Sequence, residues 1–291
     1  MKVRYAFAFA VIYLVWGSTY LAIRIAIETI PPFLMMGLRS LLAGLVLYGV
    51  GRVQSGERLD RAEWGWSLVL GGLFFLGGHG ALAWGELSIP SGVASLLVAT
   101  IPVWIALAEV ASRQAVLTWR IVSGLALGLT GVGLLAEPGK LLPGESVHPV
   151  GAVVVVGGAM SWALGTVLSR RNPSGKSWIL TSGANLLAGG ALLVVASLLF
   201  ETLPAGYPSV GSTVALAYLV VFGSILGFGA FVWLLRTVPA WKVGTYAFVN
   251  PAVAVLVGFF AGGEPLSLRV ALATALMGGG VALLVLERRT S

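Results

Sequence analysis

Ten apolar runs, each about as long as a lipid bilayer is thick, dominate this sequence. A helix rises 1.5 Å per residue, so about 20 mostly apolar residues cross the ~30 Å hydrocarbon core. Runs of that length lie at 5–27, 33–53, 65–86, 90–111, 116–136, 150–170, 177–200, 211–235, 240–261 and 268–286. The longest connections, near 137–149 and 51–63, leave no room for a soluble domain. Transmembrane strands would alternate over roughly 10 residues, whereas these runs are continuous and twice as long. Pro31-Pro32, Pro90, Pro149, Pro204, Pro239 and Pro265 fall at or beside the boundaries, where a missing N–H costs least. The predicted fold class is an all-α integral membrane protein with ten transmembrane helices.

Charge supports the same class. Only 10% of residues are charged, against about 25% in soluble domains. The net charge of +7 is spread along the chain, with no basic cluster of the kind that binds nucleic acid. Cysteine is absent, and His79 and His148 lie in different segments, so no metal site is expected. The sequence has no P-loop, and no nucleophile set or carboxylate pair stands at mid-membrane depth. No enzyme activity and no cofactor are expected. The first apolar run is too long for a signal-peptide core and lacks a cleavage site, so it reads as an uncleaved first helix.

Lys and Arg set the expected orientation. With the N-terminus in the cytoplasm, 14 of the 18 fall on the cytoplasmic side. Both termini are then cytoplasmic. Lys140 and Arg269 fall outside, and Arg24 and Arg39 lie within spans one and two.

The chain also matches itself. An offset of 149 sets Trp84 on Trp233, Pro90 on Pro239, Pro102 on Pro251, Arg120 on Arg269 and Gly131 on Gly280. An offset of 146 sets Trp16 on Trp162 and Arg24 on Arg170, and at 145 the segment Leu41-Leu42-Ala43-Gly44 falls on Leu186-Leu187-Ala188-Gly189. Units of five spans are odd, so the second enters from the opposite side. Inverted repeats are a recurring plan of secondary transporters, with the site near the midplane between the halves. The expected units are 1–137 and 150–291, joined by an outer loop at 138–149.

These two units, with Trp16-Gly17-Ser18 in span one, proline in spans four and nine, and Gly263-Glu264-Pro265 before span ten, resemble the EamA type of the drug/metabolite transporter superfamily. The resemblance implies a bacterial cytoplasmic-membrane protein with a central cavity. It also implies export of amino acids or related metabolites, aromatic ones among them.

Candidate substrate-binding residues follow from polar or aromatic groups at mid-span. Trp16, Tyr20 and Arg24 fall at i, i+4 and i+8 on span one, and their mates on span six read Trp162, Thr166 and Arg170, a stripe turned from lipid. Trp16 and Trp162 are expected to face each other. Pro102 and Pro251 stand mid-helix as candidate hinges, because each frees a backbone carbonyl one turn earlier. Thr100, Trp104, Tyr246 and Asn250 lie close to them. Arg39 is the most deeply placed charge and suits a substrate carboxylate. His79, in Gly77-Gly78-His79-Gly80, is a candidate cavity donor or titrating group. Spans five and ten carry Gly124, Gly128 and Gly131, and Gly278-Gly279-Gly280, which permit close helix packing.

The leading expectation is a secondary transporter exporting small metabolites, most of all amino acids with a sizeable apolar side chain. Its partners are that solute and the lipid bilayer, and it is a monomer or a weak homodimer. The alternative is an intramembrane enzyme acting on lipid-like substrates. Its one candidate pair, His79 and Glu86, stands two turns apart, about 10 Å in rise.

Overall fold

The computed structural model describes residues 2–89, 91–113, 116–135, 148–171, 175–202, 206–253 and 268–286. Among these, every regular element is helical. In chain order they are α1 (Lys2–Ala26), α2 (Pro32–Ser55), α3 (Arg61–Gly85), α4 (Ser91–Val98, resuming as Ile101–Ala111), α5 (Trp119–Leu135), α6 (Pro149–Arg171), α7 (Trp178–Phe200), α8 (Val210–Leu235), α9 (Ala240–Val243, then 246–253) and α10 (Leu268–Leu286). Seven of the described helices, α1 to α4 and α6 to α8, are long and apolar enough to cross a membrane, and α5 and α10 are shorter apolar helices. The far half of the expected ninth span, most of the expected 138–149 loop and Gly263-Glu264-Pro265 lie outside the described residues.

Local signals explain the helix ends. Gly56 ends α2 with φ of 67°, and its N–H reaches the Arg52 carbonyl, a left-handed cap that glycine adopts without penalty. Asp60 starts α3 with a reciprocal capping box. Its Oδ1 accepts from the Glu63 N–H at 2.8 Å, while Glu63 Oε2 accepts from the Asp60 N–H at 2.9 Å. This box extends α3 four residues before the apolar run begins.

The helices pair closely. α2 lies antiparallel on α7, and the contacts recur at seven-residue spacing along Gly37, Gly44 and Gly51. A Cβ added at Gly44 would stand 2.8 Å from the Leu187 nitrogen, and one at Gly183 would stand 2.2 Å from the Tyr48 nitrogen. Only glycine allows backbones this near. α5 packs on α10 in the same manner, since a Cβ at Gly280 would lie 2.6 Å from the Gly124 carbonyl oxygen. The small residues expected to pack spans five and ten therefore do so at Gly124, Gly128, Gly131 and Gly280. Gly278 and Gly279 face open space.

Two carboxylates clamp the ends of the α2–α7 pair. Glu201, just past α7, accepts from the backbone N–H groups of Phe33 at 2.7 Å and Leu34 at 3.0 Å, in the first turn of α2. Glu57, just past α2, accepts from the Ser177 N–H at 2.6 Å, at the start of α7. Each supplies an acceptor and a negative charge where a helix N-terminus needs both.

Candidate functional site

The core of the molecule is an aromatic cluster contributed by α1, α3, α6, α8 and α9. Trp16 meets Trp162 edge-on, with ring centroids 5.7 Å apart, and meets Tyr246 at 4.7 Å. The His79 ring stacks on Trp162 at 4.9 Å. Phe74 and Phe231 close on the other side of Trp162 at 4.9 and 5.5 Å, and Phe228 lies 5.7 Å from Phe74.

Against this cluster lies a cavity of about 60 Å³, with room for a few waters. Trp16, Tyr20, Arg39, His79, Trp162, Tyr246 and Asn250 all line it, with Thr19 among their neighbours. These residues come from α1, α2, α3, α6 and α9, so the fold gathers side chains up to 234 positions apart. On the far side of Phe74 and Phe231 is a vestibule of about 600 Å³ lined by Trp66 and Leu70 of α3, Arg170 of α6, Asn185 of α7, and Val232 and Arg236. Phe74 stands one turn from vestibule residue Leu70 and one turn from cavity residue Gly78. The aromatic layer thus separates the two spaces.

Arg39 is 2% exposed. Its Nε donates to Ser224 Oγ at 2.7 Å, and Nη1 makes a long contact of 3.7 Å with the Met36 sulfur. No carboxylate forms an ion pair with it among the described residues. A buried guanidinium with one neutral hydroxyl partner is held at considerable cost.

α8 pays close attention in shape to Arg39 and Trp16. Leu219–Phe228 is hydrogen-bonded in π-helical register, an arrangement that clusters at functional sites. Within it the Gly223 carbonyl accepts from Trp16 Nε1 at 3.0 Å. A Cβ at Gly223 would stand 2.7 Å from Arg39 Nη2, and one at Gly227 would stand 2.4 Å from Trp16 Nε1. Glycine at both places gives the guanidinium and the indole their space. A second π-helical segment, Gly72–Gly80 of α3, holds Phe74, Phe75 and His79.

Four residues expected at the site point elsewhere. Arg24 Nη1 donates to the Glu86 backbone carbonyl at 2.7 Å, at the end of α3. Thr166 is buried and bonds the Trp162 carbonyl at 2.8 Å. Thr100 bonds the Leu97 carbonyl and accepts from Trp104 Nε1 at 3.1 Å, so this pair closes the break in α4 on itself. Pro102 follows that break within the first turn of Ile101–Ala111. In α9 the helix is interrupted at 244–245, ahead of Pro251. The cradle residues Gly223, Ser224 and Gly227 escape the sequence reading. Their signal is three small residues spaced along one otherwise apolar run.

The vestibule is more polar. Arg170 Nη1 donates to the backbone carbonyls of Leu235, at 3.3 Å, and Val238. Arg236 donates to the Lys176 carbonyl at 2.8 Å and to Thr181 Oγ1 at 3.1 Å. Partial burial pulls the Arg236 guanidinium below its usual range, and the Glu57 carboxylate opposes that pull.

Comparison with known proteins decides the class. The profile of the EamA-like transporter family matches residues 3–136 and again residues 149–286. The chain belongs to the EamA-like transporter family. It is 36% identical over 264 residues to the uncharacterized inner membrane transporter YedA of Escherichia coli, covering 88% of this chain and 82% of that one. Protein PecM of Dickeya dadantii is 30% identical over 255 residues, 84% of this chain and 80% of that one. A solved crystal structure shares the fold with a TM-score of 0.78 at 24% identity, over 96% of this chain and 95% of that one. This EamA-like protein is a multi-pass transporter of the inner membrane.

Proposed function

We propose that this transporter exports amino acids with a sizeable apolar side chain by alternating access, and that the cavity against Trp16 and Trp162, which has room only for waters in this conformation, widens on opening into its solute site. The observation that carries the reading is Arg39: a buried, unneutralised cation lining an aromatic cavity. A carboxylate pairs with its planar guanidinium in two parallel hydrogen bonds, and the indoles and Tyr246 offer a side chain apolar surface. Trp16, Tyr20, His79, Trp162, Tyr246 and Asn250 are the other solute-binding residues. Thr100, Trp104, Thr166 and Arg24 support the walls, and the breaks ahead of Pro102 and Pro251 are the hinges.

The reading includes ten spans in two inverted five-helix units, 1–137 and 150–291, with both termini cytoplasmic. Its support is a set of paired contacts at nearly one sequence offset. α2 packs on α7 and α5 on α10, while α1 packs on α8 as α6 packs on α3. The Glu57 and Glu201 clamps, and the Arg24 and Arg170 caps, repeat in the same way. Rocking one unit against the other would open the vestibule side and the opposite side in turn.

Counterflow in proteoliposomes tests the reading. Radiolabelled phenylalanine, leucine and threonine are each followed into vesicles loaded with the same amino acid. Wild type is expected to exchange at least one of them, and Trp16→Ala with Trp162→Ala to exchange none. No exchange of any amino acid by folded wild-type protein sinks the proposal.

A further inference from the structure

We infer that Glu86 is a proton-binding site that couples closure of its end of the bundle to the pH on that side of the membrane. This inference rests on the transport reading above for its flux measurements, but its proton chemistry is testable without any solute.

Glu86 ends α3 and is fully buried. Among the described residues, neither carboxyl oxygen has a hydrogen-bond partner. A carboxylate in that position would be a buried anion with nothing to satisfy four lone-pair sites, whereas the neutral acid avoids the charge. The groups around it are few. α1 faces it with Tyr20 and Arg24, and Arg24 Nη1 is held on the Glu86 backbone carbonyl. α6 offers Gly151 and Val155 to this turn, and α2 offers Phe33 at Gly80, nearly two turns deeper, none of them charged. On α3 itself, His79 is two turns away on the same face, inside the cavity.

The second half shows that the fold does not need this carboxyl. At the offset that sets Trp84 on Trp233, Glu86 falls on Leu235. The contact is the same in both places, since Arg24 bonds the Glu86 carbonyl and Arg170 bonds the Leu235 carbonyl. Capping a helix C-terminus with arginine uses only the backbone oxygen. Leucine therefore serves at position 235, and the side chain of Glu86 has no structural task.

The coupling follows from burial. With this end of the bundle closed, Glu86 holds its proton. When the end opens, water reaches the carboxyl, the O–H bond breaks with its electron pair left on oxygen, and the proton passes to water. Arg24 then stabilises the carboxylate left behind. Closure requires a proton to be taken up again. The proton enters and leaves on the same side, so none crosses the membrane; on the orientation read from Lys and Arg that side is outside, and external acid drives the emptied carrier shut.

Two measurements test this. In nanodiscs, the infrared difference between wild type and Glu86→Gln should contain the carbonyl stretch of one protonated carboxylic acid, which vanishes as pH is raised. In proteoliposomes, wild-type phenylalanine counterflow should change with pH over the range in which that band titrates, and Glu86→Gln counterflow should not. No such band in the difference, or a wild-type pH dependence of counterflow that persists in Glu86→Gln, overturns the inference. Should the glutamine variant fail to fold, Glu86→Asp must show the same band at a shifted titration point, and an unshifted band counts against the site. If wild type moves no amino acid, the solute reading fails while the infrared band still decides the proton site.

Discussion

Glu57 and Glu201 do the same work at opposite ends of one helix pair. Each follows the last turn of its own helix and caps the first turn of the other, Glu57 on Ser177 and Glu201 on Phe33 and Leu34. Hydrogen bonds to a charged acceptor contribute about 1–3 kcal/mol. Glu201→Ala is expected to lower the melting temperature of purified protein in detergent, and Glu57→Ala to do so by a smaller amount because it satisfies one N–H rather than two. Equal stability of Glu201→Ala and wild type contradicts the clamp.

The cradle around Trp16 and Arg39 makes a steric prediction. Gly227→Ala places a methyl 2.4 Å from the Trp16 indole nitrogen. Overpacking of this kind costs about 1–3 kcal/mol. Gly49 has no atom within 4 Å of an added Cβ, so Gly49→Ala should be neutral. Thermal melts of the two variants should separate clearly, and equal melts would show that α8 adjusts freely.

On the proposed reading Arg39 sets a chemical preference. Its loss should weaken solutes that carry a carboxylate and spare those that do not. Arg39→Gln is expected to reduce competition by phenylalanine in counterflow at least about tenfold, since truncating one partner of a buried charge pair costs roughly 2–5 kcal/mol. Phenylethylamine, which lacks the carboxylate, should compete equally against both proteins. An equal loss for both solutes would mean that Arg39 acts through the fold.

Orientation is open to a direct measurement, because the chain contains no cysteine. Ser55 and Tyr207 are exposed at opposite ends of the bundle. A cysteine at Ser55 should resist an impermeant maleimide applied to intact cells, and one at Tyr207 should react. The reverse pattern inverts the assigned orientation.

Hydropathy was enough to read the membrane helices, because burial in lipid acts on every residue of a span. The Trp16–Trp162 contact was legible too, through the repeat that pairs them. Arg24 was not. Eight residues from Trp16 amount to 800° of helix, about 80° away from the starting face, and that turn carries the guanidinium to Glu86. The π-helical register of Leu219–Phe228 leaves no mark on a uniformly apolar run, so Ser224 was hidden as the partner of Arg39. The clamps at Glu57 and Glu201 were hidden for another reason. Each looks like an ordinary loop charge until the partner helix is brought against it.

The equal caps at Glu86 and Leu235 have one more consequence. The chain repeats its framework and its capping charges but not three of its buried ionisable groups: Arg39, His79 and Glu86 all belong to the first family match, 3–136. At the offset of 149, phenylalanine and leucine answer His79 and Glu86 in the second match. On the alternating-access and proton-site readings, a carrier built this way has two shapes of unequal energy. Acidity on one side of the membrane changes that inequality, so the resting shape is itself set by the surroundings.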